Sequence, residues 1–144
     1  MAKHIKTSIR IEAQPKIIWD ILMDFKKYPE WNPFITSITG SPQLHHHITI
    51  TLPSMTFTPV IKTIENQKEL KWLGHLWIKG LFDGEHQFVL HSNPDGSTTF
   101  RHNEVFNGIL VPFFVKKLDI DTKKGFEQMN MALKLRAEKM TSLS

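Results

Sequence analysis

Cysteine is absent from the 144 residues, which excludes disulfides and thiolate metal sites and fits a reducing compartment. No apolar run approaches the ~18 residues of a membrane span, and the start MAKHIKTSIRIEA lacks the apolar middle of a signal peptide. The expected location is therefore the cytoplasm, with no stable membrane insertion. Charge of one sign is not gathered: 18 basic residues are interleaved with 14 acidic ones, for a net +4. A nucleic-acid partner would need the basic residues on one face, so none is expected. There is no Gly-rich phosphate loop and no nucleophile elbow, leaving a nucleotide cofactor without support. No repeat, linker or low-complexity segment divides the chain, and its length suits one domain, 1–144.

What is present is a long amphipathic segment from Val111 to Met140. Leu118, Thr122, Phe126, Met129, Leu133, Ala137 and Met140 recur at spacings of three or four, the period of one apolar helical face. Lys117, Asp121, Lys124, Gln128 and Arg136 fall on the other side. A helix of that length reaches roughly 40 Å at about 1.5 Å per residue, and its apolar stripe requires a cover. Gly125 costs that helix about 1 kcal/mol relative to alanine, so close packing, or a flexible point for ligand uptake, is expected there.

The rest of the chain supplies the cover. Ile5, Thr7, Ile9 and Ile11 alternate with polar residues as a half-buried strand, and Pro15 opens a short helix ending near Asp24. FKKYPEWNPF carries two prolines and is read as a compact turn or broken second helix. Its Tyr28, Trp31 and Phe34 are expected to plug one end of the core. Strands are expected near 35–40, 45–52, 55–65, 69–77, 82–92 and 98–107, joined by short turns as an antiparallel meander. The expected class is α+β: a curved antiparallel sheet of about seven strands around the long C-terminal helix, with two short helices after the first strand.

Alternation sends Trp72, His86, Phe88, Phe100, His102, Glu104 and Phe106 inward, and Glu85, Gln87, Arg101 and Asn103 outward. His86, His102 and Glu104 are the polar exceptions on an apolar wall. A five-residue turn over Asn93–Ser97 would set Ser92 opposite Thr98, and hence His86 opposite Glu104 and Phe88 opposite His102; a slip of two changes the partners but keeps all three polar groups on one wall. Such a trio is either a satisfied hydrogen-bonded pair in the core or the polar spot of a small-molecule pocket, where Glu104, His86 or His102 could also act as acid or base. His45, His46 and His47 raise a metal reading, but in a strand only His45 and His47 share a face, the outer one, and no acidic residue is near in sequence. No metal or other cofactor is expected.

The start IRIEAQPKIIWDILMDFKKYPEWNPFI and the later LFDGEHQFVLHSNPDGSTTFRHNEVFNGILVPFF resemble the START-like (SRPBCC) superfamily. The later match includes Gly84, His86, Phe88, His102, Glu104, Phe106, Gly108 and Pro112. That resemblance implies a helix-grip fold with a deep cavity between sheet and C-terminal helix for a lipid, polyketide or aromatic metabolite. The expected lining is Trp72, His86, Phe88, Phe100, His102, Glu104 and Phe106 with Phe126, Met129 and Leu133. The chain is most similar to small bacterial members labelled polyketide cyclase or dehydrase-like. The alternatives it implies are an aldol cyclase or dehydratase using Glu104 and His86, and a cochaperone-like interaction module.

Overall fold

Alternating β-branched and charged residues extend the chain as β1 (Lys3–Ile11), which turns its even-numbered residues to solvent and buries Ile5 and Ile11. The computed structural model describes residues 2–76 and 78–143. Pro15 opens α1 (Pro15–Met23), where a missing N–H is harmless, and α1 buries Ile18, Trp19, Ile21 and Leu22. A 3-10 turn over Phe25–Glu30 follows, and Tyr28 is fully buried there with its hydroxyl donating to the Leu22 carbonyl at 2.7 Å. Tyr28 thus plugs the core, whereas Phe34, expected to do the same, lines a cavity described below.

The strands that follow are β2 (Ser37–Thr39), β3 (Thr49–Thr51), β4 (Thr56–Phe57), β5 (Val60–Glu65), β6 (Glu69–Leu76), β7 (Phe82–Ser92) and β8 (Thr98–Asn107). They form an antiparallel sheet in the order β1-β8-β7-β6-β5 and a small sheet β2-β3-β4. Eight strands stand where about seven were expected, because the stretch 55–65 divides before Pro59, which cannot donate a ladder hydrogen bond. The expected strand at 45–52 shrinks to β3. His45 takes a φ of 67°, the chain turns, and His45, His46 and His47 are all exposed, so no shared strand face exists for them. Hydrogen bonds from His45 N to Ile61 O and from Ile61 N to His46 O tie this turn to β5. Of the strand expected at 69–77, Trp77 lies outside the described residues.

The β7–β8 hairpin has the register that its five-residue turn implies: Ser92 faces Thr98, Phe88 faces His102 and His86 faces Glu104. The C-terminal segment is not one regular helix. It runs as a 3-10 turn (Val111–Phe114), α2 (Val115–Lys117), a π-turn (Leu118–Thr122) and α3 (Lys123–Ser142). Phe126, Met129, Asn130, Leu133 and Ala137 are buried, while Met140, expected on the same stripe, is 45 % exposed because the helix has run past the sheet by then. The curved sheet closed by this helix is a helix-grip fold.

Gly125 is explained by contact. A Cβ there would stand 2.4 Å from Cδ1 of Phe34, whose ring meets Phe126 edge-on with centroids 5.5 Å apart. Gly125→Ala must displace Phe34, an overpacking cost of about 1–3 kcal/mol, against which the gain in helix propensity is about 1 kcal/mol. A net fall in the urea midpoint is expected; an unchanged or raised midpoint would show that Phe34 yields freely.

Candidate functional site

Beside α3 the sheet is filled on one side and open on the other. The helix packs over β1, β8 and α1, and there Phe88, Phe100, His102, Phe126, Met129 and Leu133 are fully buried against one another. Toward β6 and the small sheet a cavity of about 570 Å³ opens, within the range of small-molecule pockets. Among the residues expected to line it, Trp72, His86, Glu104 and Phe106 do so, and the six just named lie behind them as packed core.

The opening has a local cause in β6 and β7. Gly74 and Gly84 are register partners on the inward face, so the wall has no side chains at that pair. The space over Gly84 is taken instead by a carboxyl group: a Cβ on Gly84 would lie 2.3 Å from Oε2 of Glu104. Apolar lining comes from Phe34, Ile50, Leu52, Phe57, Leu76 and Phe82. Of these, Phe34 stands on an irregular turn with no periodic signal. The exposed side chains of Lys117, Asp121, Lys124 and Gln128 border the cavity on the helical side, two of them on or next to the π-turn. Single π-turns inside helices recur at functional sites, since the extra residue re-aims the side chains around it.

Behind Glu104 runs a chain of buried polar groups. Glu104 Oε1 is 2.6 Å from His86 Nδ1, His86 Nε2 is 2.7 Å from His102 Nε2, and His102 Nδ1 is 2.9 Å from Asn130 Oδ1. Asn130 Nδ2 donates to Thr7 Oγ1 at 2.9 Å, and Thr7 Oγ1 donates to the His102 carbonyl at 2.7 Å. The direction of every bond follows from this last one. A carbonyl only accepts, so the Thr7 proton is spent on it and Thr7 must accept from the Asn130 amide nitrogen. Asn130 therefore turns its oxygen to His102, whose Nδ1 carries a proton. Burial holds His102 well below the usual imidazole range and lowers His86 too, so both rings are neutral. His102 Nε2 then accepts from His86 Nε2, which leaves His86 Nδ1 as an acceptor facing Glu104. The same burial raises the Glu104 carboxyl, so one proton is held between its Oε1 and His86 Nδ1. Asn130 was not anticipated, although it lies on the ridge Phe126, Asn130, Leu133, Ala137; an amide on a buried ridge was the signal available.

The rings are locked by stacking as well as by hydrogen bonds. His102 stacks on Phe126 at 4.0 Å with an 8° interplanar angle, and Trp72 stacks on His86 at 5.1 Å with 16°. The indole nitrogen of Trp72 is buried without a hydrogen-bond partner among the described residues.

Residues 2–138 match the family described as polyketide cyclase / dehydrase and lipid transport. The chain belongs to that family. This family member shares its START-like (SRPBCC) fold with solved structures of low sequence identity. A START superfamily protein from Mycobacterium smegmatis superposes with a TM-score of 0.72 at 20% identity, over 95% of this chain and 98% of that one. Norcoclaurine synthase from Thalictrum gives 0.76 at 15% identity, over 98% and 97%. The di-domain ARO/CYC protein StfQ of the steffimycin biosynthetic pathway gives 0.77 at 11% identity, over 99% of this chain and 52% of that one. At these identities the likeness is one of fold. No curated protein matches the chain in sequence. Among the described residues no helix of this family member is long and apolar enough to cross a membrane.

Proposed function

We propose that the protein binds a hydrophobic small molecule in the cavity between sheet and C-terminal helix, with Glu104 as its polar contact. The observation that carries this reading is the cavity of about 570 Å³, walled mainly by apolar side chains, with the Glu104 carboxyl on its sheet wall. Apolar walls supply affinity, and a few fixed polar groups supply orientation. Native mass spectrometry of the purified protein, with solvent extraction of bound compounds and titration with 8-anilinonaphthalene-1-sulfonate, tests it. Leu76→Trp fills the cavity from a half-buried lining position and is expected to weaken dye binding at least about tenfold, or ~1.4 kcal/mol. An equal response from both proteins would place the dye elsewhere and sink the reading.

A second reading is acid–base catalysis of an aldol cyclisation or dehydration of a β-carbonyl compound. Its support is the hydrogen-bonded Glu104–His86–His102 chain that ends in the cavity. Perturbed titratable groups of this kind are common where protons are moved. On this reading Glu104→Gln abolishes turnover of such a compound while binding persists; retained turnover would remove Glu104 from the role.

A further inference from the structure

We propose that the cavity selects ligands whose inserted end is a hydrogen-bond donor, an alcohol or a phenol, and rejects the matching ether, ketone or carboxylate. This rests on the binding reading above and goes further, because the hydrogen-bond chain fixes what Glu104 can offer a ligand. The chain starts at a group that only accepts, the His102 carbonyl, and its polarity is carried through Thr7, Asn130, His102 and His86 to Oε1 of Glu104. Oε1 is thereby committed to His86. The other oxygen, Oε2, lies over Gly84, has no hydrogen-bond partner among the described residues, and belongs to a side chain that keeps 14 % of its surface accessible at the cavity.

The proton between Glu104 and His86 has two possible positions. On Oε1 the carboxyl is neutral and Oε2 is its carbonyl oxygen; on His86 Nδ1 the carboxyl is an anion and Oε2 is a carboxylate oxygen. In both states Oε2 presents a lone pair and no hydrogen. A ligand hydroxyl meets that lone pair as a donor. An ether or ketone oxygen brings a second acceptor to a water-poor wall and leaves Oε2 unpaired, and a carboxylate adds repulsion.

The test uses matched probes: 2-naphthol, 2-methoxynaphthalene and 2-naphthoate, and 1-dodecanol, its methyl ether and dodecanoate. Each competes with 8-anilinonaphthalene-1-sulfonate on the full chain, at a pH where both carboxylate probes are ionised. The hydroxyl member of each set is expected to bind about tenfold tighter than its ether, the equivalent of ~1.4 kcal/mol. Glu104→Leu is expected to bind alcohol and ether equally. Glu104→Gln keeps the preference, since His86 Nδ1 takes a proton from the amide nitrogen and the amide oxygen is left facing the cavity. Equal binding of alcohol and ether by the wild type, or a preference for the ether in Glu104→Gln, overturns the proposal and leaves hydrophobic binding standing. Failure of every probe to displace the dye overturns both. The wild-type comparison and Glu104→Gln decide the matter even where Glu104→Leu does not fold.

Discussion

Asn130→Leu is expected to destabilise the protein by about 2–5 kcal/mol, although leucine keeps the branched four-atom skeleton of asparagine and, being bulkier, opens no cavity. The loss is one of hydrogen bonding. Asn130 is 2 % exposed, and it receives the His102 Nδ1 proton and gives its own to Thr7. Leucine takes the side-chain acceptor from the His102 N–H, leaving it only the Phe126 carbonyl in a dry core, and takes the donor from Thr7. There is a second effect. Without the amide oxygen, only the Phe126 backbone carbonyl is left to hold the His102 ring proton, so the direction of the chain to Glu104 is set less firmly. Urea unfolding measures the first effect and histidine ¹⁵N chemical shifts the second. A stability loss below about 1 kcal/mol, the size of one ordinary hydrogen bond, would show that the chain adds nothing as a unit.

The contribution of the buried trio to stability is expected to peak near pH 6.5, the point at which unfolded histidines become neutral. Glu104 is raised from 4.5 to about 8 by burial, and His86 and His102 are lowered from 6.5 by burial. Between 6.5 and about 8 the folded protein holds one proton, on the Glu104–His86 pair, that the unfolded chain has released. Stability therefore falls as pH rises through that window, with a slope of up to about 1.4 kcal/mol per pH unit. Between 4.5 and 6.5 the unfolded chain binds two histidine protons and the folded trio holds one, so stability rises with pH there. Below 4.5 unfolded Glu104 also protonates and the slope steepens. The count holds whichever of Glu104 and His86 carries the shared proton. Glu104→Gln removes the alkaline limb, so the difference between wild type and variant, from urea midpoints over about pH 5 to 9, isolates it from other titrating groups. Parallel curves would show that Glu104 ionises normally in the folded protein.

Much of this site was legible in the sequence for reasons of geometry. Strand side chains alternate with a period of two, so His86, His102 and Glu104 had to share a face, and of the registers that keep them there the structure has the one a five-residue turn implies, with His86 paired to Glu104. The helical stripe was equally plain from Phe126 to Ala137, because 3.6-residue periodicity is a property of neighbours in sequence. It failed at Met140, where burial depends on how far the sheet extends rather than on the helix itself. His45 misled in the same way, since its left-handed turn is imposed by hydrogen bonds to β5.

The faces of the last two strands and the apolar side of the final helix follow from local periodicity alone, and turn length narrows the β7–β8 register to the one observed or a slip of two. Only the tertiary structure decided which of those inward residues border empty space. Phe88, Phe100 and His102 face the same way as Trp72, His86, Glu104 and Phe106, yet Phe126, Met129 and Leu133 of the helix bury the first group, while the second borders the cavity. That difference comes from the Gly74–Gly84 pair, the Phe34–Gly125 contact and the π-turn, where distant segments meet. The direction of the buried hydrogen bonds is likewise tertiary: it needs Thr7 of the first strand and Asn130 of the last helix in one place, and no local rule brings them together.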